Sequence, residues 1–178
     1  MDDRVSIALL AADEVVAVVP ELADVLLDGV ADGASIGFLA DLDLDRARTW
    51  WHGAVGSPGT LTWVARLDGR VVGVVQLKLV TYPNGRHRAD VAKLLVHRRA
   101  RGLGLSRALM AALESEARRR GRWLLLLDTE TGSLAEQLYE KWGWQRLGVL
   151  ADHAAVPDGE LRPTTFFSKR LLSGPPPS

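Results

Sequence analysis

Apolar residues recur at helical spacing in four segments of the chain. These are residues 13–31, 43–53, 103–120 and 133–143. Asp43 and Ser133 stand where N-caps are expected, and Gly121 and Gly143 follow the last turns of two segments, which supports these boundaries. Pro20 lies in the first segment and suits the first turn of a helix better than its middle.

Five other segments have the composition of β-strands. They are residues 60–67, 70–80, 89–96, 123–128 and 163–172. The first two are joined by Asp68-Gly69, which predicts a hairpin. The uninterrupted run Trp-Leu-Leu-Leu-Leu at 123–127 predicts a strand buried on both faces.

The order of elements between residues 89 and 128 is strand, glycine-rich turn, helix, strand. This order predicts a right-handed crossover between parallel neighbours. Because hairpins precede it, we expect a mixed sheet with helices packed on it, an α/β fold.

Composition narrows the class of protein. The 178 residues suit a single domain over residues 1–172, followed by a disordered, proline-rich tail over 173–178. Lys plus Arg and Asp plus Glu both number 22, so we expect no nucleic-acid partner and no anionic membrane partner. The chain has no cysteine, which excludes disulfides, thiolate metal sites and a cysteine nucleophile.

No targeting or metal-binding pattern is apparent. Asp13-Glu14 interrupts the first apolar run, which is not the pattern of a signal peptide, and no run of apolar residues is long enough to span a membrane. We therefore expect a cytoplasmic protein, as a monomer or a homodimer. The spacing of the histidines does not suit a metal, so we expect none; they are His52, His87, His97 and His153.

Residues 97–107 place arginines around two glycines at the start of a predicted helix, where positive charge is unfavourable. Gly102 and Gly104 leave backbone amides accessible, and amides that begin a helix form an anion site. Arg99 and Arg101 become favourable there if a phosphate binds. The alternative is a solvated basic turn that uses glycine for its geometry alone.

Two nucleotide-binding signatures fail at this turn. A Walker A loop requires a lysine where the chain has Leu105, and a dinucleotide fingerprint requires glycine or alanine where it has Arg107. The pattern Arg99-x-x-Gly102-x-Gly104, between an apolar strand and a helix, resembles the pyrophosphate-binding signature of the GNAT superfamily of N-acetyltransferases.

A second GNAT signature, Ala-x-x-Leu-Tyr-x-x-x-Gly, is matched by Ala135, Leu138, Tyr139 and Gly143. The chain departs from the superfamily at Gly132, where many members carry an asparagine that contacts the cofactor. Longer segments between about residue 33 and residue 172 resemble a toxin-resistance branch, which acetylates a β-lactam amino-acid toxin.

The resemblance implies a fold and a co-substrate. The fold is the GNAT fold, a mixed, mostly antiparallel twisted sheet of about six to seven strands with flanking helices. The co-substrate is acetyl-CoA, whose pantetheine arm follows the backbone of residues 94–96 while its pyrophosphate lies on the turn. The implied cofactor-binding residues are Leu94, Leu95, Val96, Arg99, Arg101, Gly102, Leu103, Gly104, Leu105, Ser106 and Arg107.

Three side chains are candidates for the chemistry. Tyr139 is the candidate general acid toward the CoA sulfur, and the alternative is a half-buried core tyrosine. Asp128 ends a strand beside the crossover, where open α/β sheets bind ligands, so it is a candidate to bind the acceptor ammonium or to take its proton; the alternative is a turn cap. Asp90 is the second candidate base, and the alternative is that it is a surface residue near the start of its strand.

The acceptor is expected to be a small-molecule amine, either a toxin or antibiotic or an amino-acid-like compound. Asp41 and Asp43 lie in the loop that often lines the acceptor pocket in this superfamily, and the alternative is that Asp43 caps a helix while Asp41 is solvated. Because no serine nucleophile motif is present, direct transfer is preferred to an acyl-enzyme. A non-catalytic acyl-CoA-binding or sensing module is the competing function.

Overall fold

The structure is a computed structural model that describes residues 4–171. Its strands are β1 (Val5–Leu9), β2 (Thr60–Leu67), β3 (Arg70–Leu79), β4 (Arg88–Val96), β5 (Leu124–Glu130), β6 (Gln145–Ala155) and β7 (Leu161–Arg170). Its helices are α1 (Val15–Ala31), α2 (Leu44–Ala54), α3 (Leu105–Arg119) and α4 (Leu134–Lys141).

The seven strands form one sheet in the order β1-β2-β3-β4-β5-β7-β6. Only β4 and β5 are parallel neighbours; the other pairs are antiparallel. The predicted mixed sheet with a β4–α3–β5 crossover is therefore confirmed. Within residues 4–171, no helix has the length and apolar composition needed to cross a membrane.

The four predicted helices and five predicted strands are present, with boundaries that differ by a few residues. β1 and β6 were not assigned individually, because both are edge strands with little buried apolar surface. β6 is exposed from Gln145 to His153, so it lacks the alternation that identifies a half-buried strand. The tail predicted at 173–178 lies outside the described residues, and a single domain over 1–172 stays a prediction.

Two local predictions are wrong. Pro20 lies inside α1 rather than in its first turn; burial of the residues that follow it outweighs the hydrogen bond that proline removes. The leucines of β5 are not buried on both faces, since Leu125 and Leu127 are buried but Leu126 is only partly so. α1 packs on β3 and β4, which leaves that face of β5 open.

Helices cover the sheet on both faces and create two apolar clusters. α1 and α2 pack on one face, where Leu22, Leu26 and Trp51 are fully buried. α3 packs on the other face with Tyr139 of α4, around side chains such as Leu109 and Phe167. The sheet is thus the middle layer of three, and its strand ends are the positions where ligands can reach it.

β4 contains a bulge that changes which side chains face each layer. Lys93 and Leu94 of β4 together oppose Val75 of β3. Val91, before the bulge, packs in the cluster of α3, whereas Leu95, after it, packs in the cluster of α1. One extra residue therefore reverses the alternation of the strand just before the glycine turn.

The parallel ladder between β4 and β5 is short. It joins Arg88–Asp90 to Leu124–Leu126, and no pairing continues beyond these residues in the described structure. The C-terminal halves of the two strands are therefore free to separate, and two cavities open between them.

Candidate active site

A cavity of about 470 Å³ lies where β4 and β5 separate, and we call it the turn cavity. Its wall comes from α1, β4, the glycine turn and α4. The predicted cofactor-binding residues that line it are Leu94, Leu95, Val96, Arg101, Gly102, Gly104, Leu105 and Ser106. The other three, Arg99, Leu103 and Arg107, do not line it and are exposed.

The glycine turn, residues 101–104, leads directly into α3. Gly102 and Gly104 have φ angles of +80° and +73°, which glycine adopts without steric strain. No side chain caps the start of α3, and no described residue accepts a hydrogen bond from the amides of residues 102–107. Unpaired amides at a helix N-terminus carry partial positive charge, so this surface can bind an anion.

The arginines before the turn and at its first position are paired with carboxylates that recur every four residues along α1 and at its C-cap. The pairs are Arg99–Asp24 (3.3 Å), Arg98–Asp28 and Arg101–Asp32 (2.7 Å). Burial favours a higher pKa for Asp28, but hydrogen bonds from Arg98 outweigh it and hold that pKa below its usual range. These aspartates, whose regular spacing was the available signal, were missed by the sequence analysis.

A second cavity of about 370 Å³ adjoins the turn cavity, and we call it the charged cavity. Lys93 of β4 lines it, as do Asp128 and Glu130 of β5. The residues common to both cavities are Ala34, Leu94, Leu95, Glu130, Ser133, Ala135 and Tyr139. The two cavities therefore adjoin, and Tyr139 lines both.

Tyr139 is buried, and an aromatic cage fixes its ring. Trp142, Trp144 and Phe167 lie 5.8–6.0 Å from it, centroid to centroid. Its hydroxyl forms no hydrogen bond with any described residue and is not one of the buried polar atoms that lack a partner, so it is accessible from the cavities that Tyr139 lines. Burial, with Asp128 adding to the effect, raises the pKa of Tyr139 well above its usual value, so the phenol stays protonated at neutral pH.

Asp90 and Asp128 lie on one face of the sheet. Asp90 pairs with Leu126 across the parallel ladder, and Asp128 follows Leu126 by two positions. Both line a small cavity of about 220 Å³, but only Asp128 also lines the charged cavity. Burial raises the pKa of Asp90, and Asp128 adds to the rise, although Arg88 and Lys78 oppose it.

Asp41 and Asp43 line neither the turn cavity nor the charged cavity. Asp43 accepts a hydrogen bond of 2.8 Å from the amide of Arg46 and caps α2. Asp41 is exposed and lies 3.1 Å from the Arg46 guanidinium. The structure therefore brings Asp90 and Asp128 together. It leaves Asp41 and Asp43 at the start of α2, because both of these side chains bind Arg46 of the same segment.

Lys93 and Glu130 line the charged cavity, and neither was predicted from the sequence as a site residue. For Lys93 the available signal was a lone lysine within the apolar run of β4. No cluster of three or more His, Cys, Asp or Glu residues in the described part of the chain has an arrangement that could hold a metal.

Comparisons with known proteins identify the family. Residues 58–146 match the profile of the acetyltransferase (GNAT) domain. An uncharacterised N-acetyltransferase of Azospirillum brasilense, from the hisH-hisA intergenic region, is 34% identical over 110 residues, which are 61% of this chain and 66% of that protein. Rat N-acetylaspartate synthetase (Rattus norvegicus) is 33% identical over 101 residues, 56% of this chain and 32% of that protein. The chain thus spans less than two thirds of each relative.

Among solved structures, yncA of Salmonella typhimurium, described as an acetyltransferase with its cofactor acetyl-CoA, has the same fold. The TM-score is 0.77 at 20% identity, over 99% of each chain. The matched profile extends from the β2–β3 hairpin through the glycine turn to α4, and it therefore includes both candidate signatures. The chain belongs to the GNAT family of acetyltransferases.

Proposed function

We propose that the chain is an N-acetyltransferase that moves an acetyl group from acetyl-CoA to the amine of a small molecule, by direct attack in a ternary complex. One observation carries this proposal: two adjoining cavities, one bordered by unpaired helix amides and the other by charged side chains, share Tyr139. Transfer from a thioester to an amine requires both molecules to be held together. We further propose that the protein acts in the cytoplasm as a monomer or homodimer.

The turn cavity suits the anionic and extended parts of acetyl-CoA. The free amides of residues 102–106 can bind its pyrophosphate, with Arg101 at the cavity wall. The backbone of residues 94–96 lines the path from the turn toward Tyr139 and is proposed to bind the pantetheine arm. Arg99 and Arg107 are proposed as outer partners of the phosphates.

The acceptor ammonium loses two protons on its way to the amide and the departing sulfur gains one: the first goes to a carboxylate, and the second restores the phenol that has protonated the sulfur. The amine nitrogen bonds to the acetyl carbon and the carbon–sulfur bond breaks. Asp128 is proposed to bind the acceptor ammonium and take its proton, with Asp90 as the second candidate. Tyr139 is proposed to give its phenol proton to the departing sulfur, because its hydroxyl is protonated and has no protein partner.

The acceptor is proposed to be a toxin, an antibiotic or an amino-acid-like amine. The resemblance of the segments between residues 33 and 172 to the tabtoxin-resistance acetyltransferase supports this class. So does the name of the rat relative, N-acetylaspartate synthetase, which is that of a protein making an N-acetylated amino acid.

Acetyl-CoA is expected to bind with low micromolar affinity and to raise the melting temperature, whereas ATP and NAD do not. At a ligand concentration 100 times Kd, a chain of this size should gain roughly 5–10 °C. Thermal shift gives the change in melting temperature and calorimetry gives Kd. Equal stabilisation by ATP would rule out the acyl-CoA assignment.

Asp128→Asn is expected to act on the acceptor side, since Asp128 lines the charged cavity and not the turn cavity. We expect kcat/KM for the acceptor to fall about 10- to 100-fold while the KM for acetyl-CoA changes little. Steady-state kinetics with each substrate varied in turn will measure both constants. Asp45→Asn, at an exposed position of α2, is the matched control; a comparable loss in that variant would contradict the assignment.

A further inference from the structure

Lys93 has an unusual backbone conformation for its residue type. Its φ angle is +56°, and the other non-glycine residues with positive φ among the described residues are Asp68 and Asp152. Aspartate tolerates this region through local hydrogen bonds, but lysine has no such support. The bulge of β4 therefore holds Lys93 in a backbone conformation that lysine disfavours. Such backbone strain often marks a functional position.

The ammonium of Lys93 is fixed by neutral groups. It donates a hydrogen bond of 2.6 Å to the carbonyl of Ile36. It also lies 5.5 Å from the ring centroid of Phe38 and 5.3 Å from that of Trp50, distances typical of cation–π contacts. These contacts position the charge and leave further N–H groups for a ligand, because an ammonium has three.

No carboxylate of the described residues forms an ion pair with Lys93. Burial, with a smaller effect of Lys78, lowers the pKa of Lys93 to about 8, while Asp128 opposes the change. The side chain is thus still largely protonated at neutral pH. A half-buried ammonium without a carboxylate partner is a favourable site for an anionic group.

The charged cavity places this cation opposite two carboxylates. Lys93 comes from the β4 side, and Asp128 and Glu130 come from the β5 side. An acceptor with one amine and one carboxylate presents the complementary pair of charges. We propose that Lys93 binds a carboxylate of the acceptor, so that the enzyme selects amines that also carry a carboxylate.

This inference rests on the proposed function, and it is tested with matched amines. Each common L-amino acid is compared, as an acceptor, with its own carboxamide and its decarboxylated amine, by measuring CoA release. For the amino acids that are acetylated, the wild type is expected to prefer the amino acid by about 10- to 100-fold in kcat/KM. Lys93→Met should reduce this preference to within about threefold, mainly through a higher KM for the amino acid.

Lys141→Met is the matched control, because Lys141 is exposed on α4 and lines neither cavity. It should keep the wild-type preference. Equal losses of kcat/KM for the amino acid and its carboxamide in Lys93→Met would overturn the proposal. A wild-type preference for carboxamides, or no acetylation of any amino acid, would overturn it as well. Calorimetry with acetyl-CoA distinguishes failure of the proposed function from failure of the Lys93 proposal. Absence of acetyl-CoA binding contradicts the proposed function. Normal binding without the carboxylate preference contradicts only the role of Lys93.

Discussion

Gly104→Val is expected to abolish acetyl-CoA binding while the chain stays folded. A Cβ at this position would meet no protein atom within 4 Å, so it would project into the space beside the unpaired amides at the start of α3. A branched side chain there would occupy the proposed phosphate position. The positive φ of Gly104 adds a backbone cost of about 1–2 kcal/mol, which a domain with ordinary stability tolerates.

Gly121→Val separates the loss of binding from the backbone cost. Gly121 has nearly the same φ, +71°, also has no atom within 4 Å of an added Cβ, and lines neither cavity. Both variants should therefore lose a similar amount of melting temperature, and only Gly104→Val should lose acetyl-CoA binding by calorimetry. Normal affinity in Gly104→Val would remove the turn from the proposed phosphate site.

Tyr139→Phe is expected to reduce turnover roughly 10- to 1000-fold while acetyl-CoA affinity changes only a few-fold. The variant removes one hydroxyl and keeps the ring that packs between Trp142, Trp144 and Phe167. Because the hydroxyl forms no hydrogen bond with the described protein, its removal should not lower stability. Kinetics at saturating substrates and calorimetry with acetyl-CoA measure the two effects.

The other tyrosine of the chain, Tyr82, is highly exposed and lines neither cavity, so Tyr82→Phe is the matched control and should behave as the wild type. If Tyr139→Phe keeps full turnover across the whole pH range, Tyr139 has a structural role only. The proton for the sulfur must then come from water or from another residue. Retention of acetyl-CoA binding without turnover in the wild type would instead favour the sensing function.

The interior elements of the fold could be predicted because their patterns are local. The β2–β3 hairpin follows from Asp68-Gly69 and the start of α4 from Ser133, whose hydroxyl accepts a hydrogen bond from the amide of Glu136. β6 could not be predicted in this way, since pairing with β7 forms it rather than burial of its side chains. Edge strands depend on a partner distant in sequence, and periodicity does not report that partner.

The candidate site was only partly predictable for a similar reason. Gly102, Gly104 and Tyr139 belong to short sequence signatures, and the structure places them around one cavity. The position of Lys93 depends on a bulge between two strands, and a bulge leaves no mark in the alternation of a mostly apolar run. The pairing of Arg101 with Asp32 likewise joins residues far apart in the chain.

The parallel ladder is short, and this affects how readily the protein can open and be degraded. β1–β4 and β5–β7 are two blocks of sheet whose direct pairing is limited to Arg88–Asp90 and Leu124–Leu126. Few backbone hydrogen bonds hold such a seam closed, and the apolar cluster under α3 supplies the other contacts across it. A co-substrate bound across the seam would stabilise the closed form of the sheet by mass action. Proteolysis of this chain would then slow as the concentration of acetyl-CoA rises.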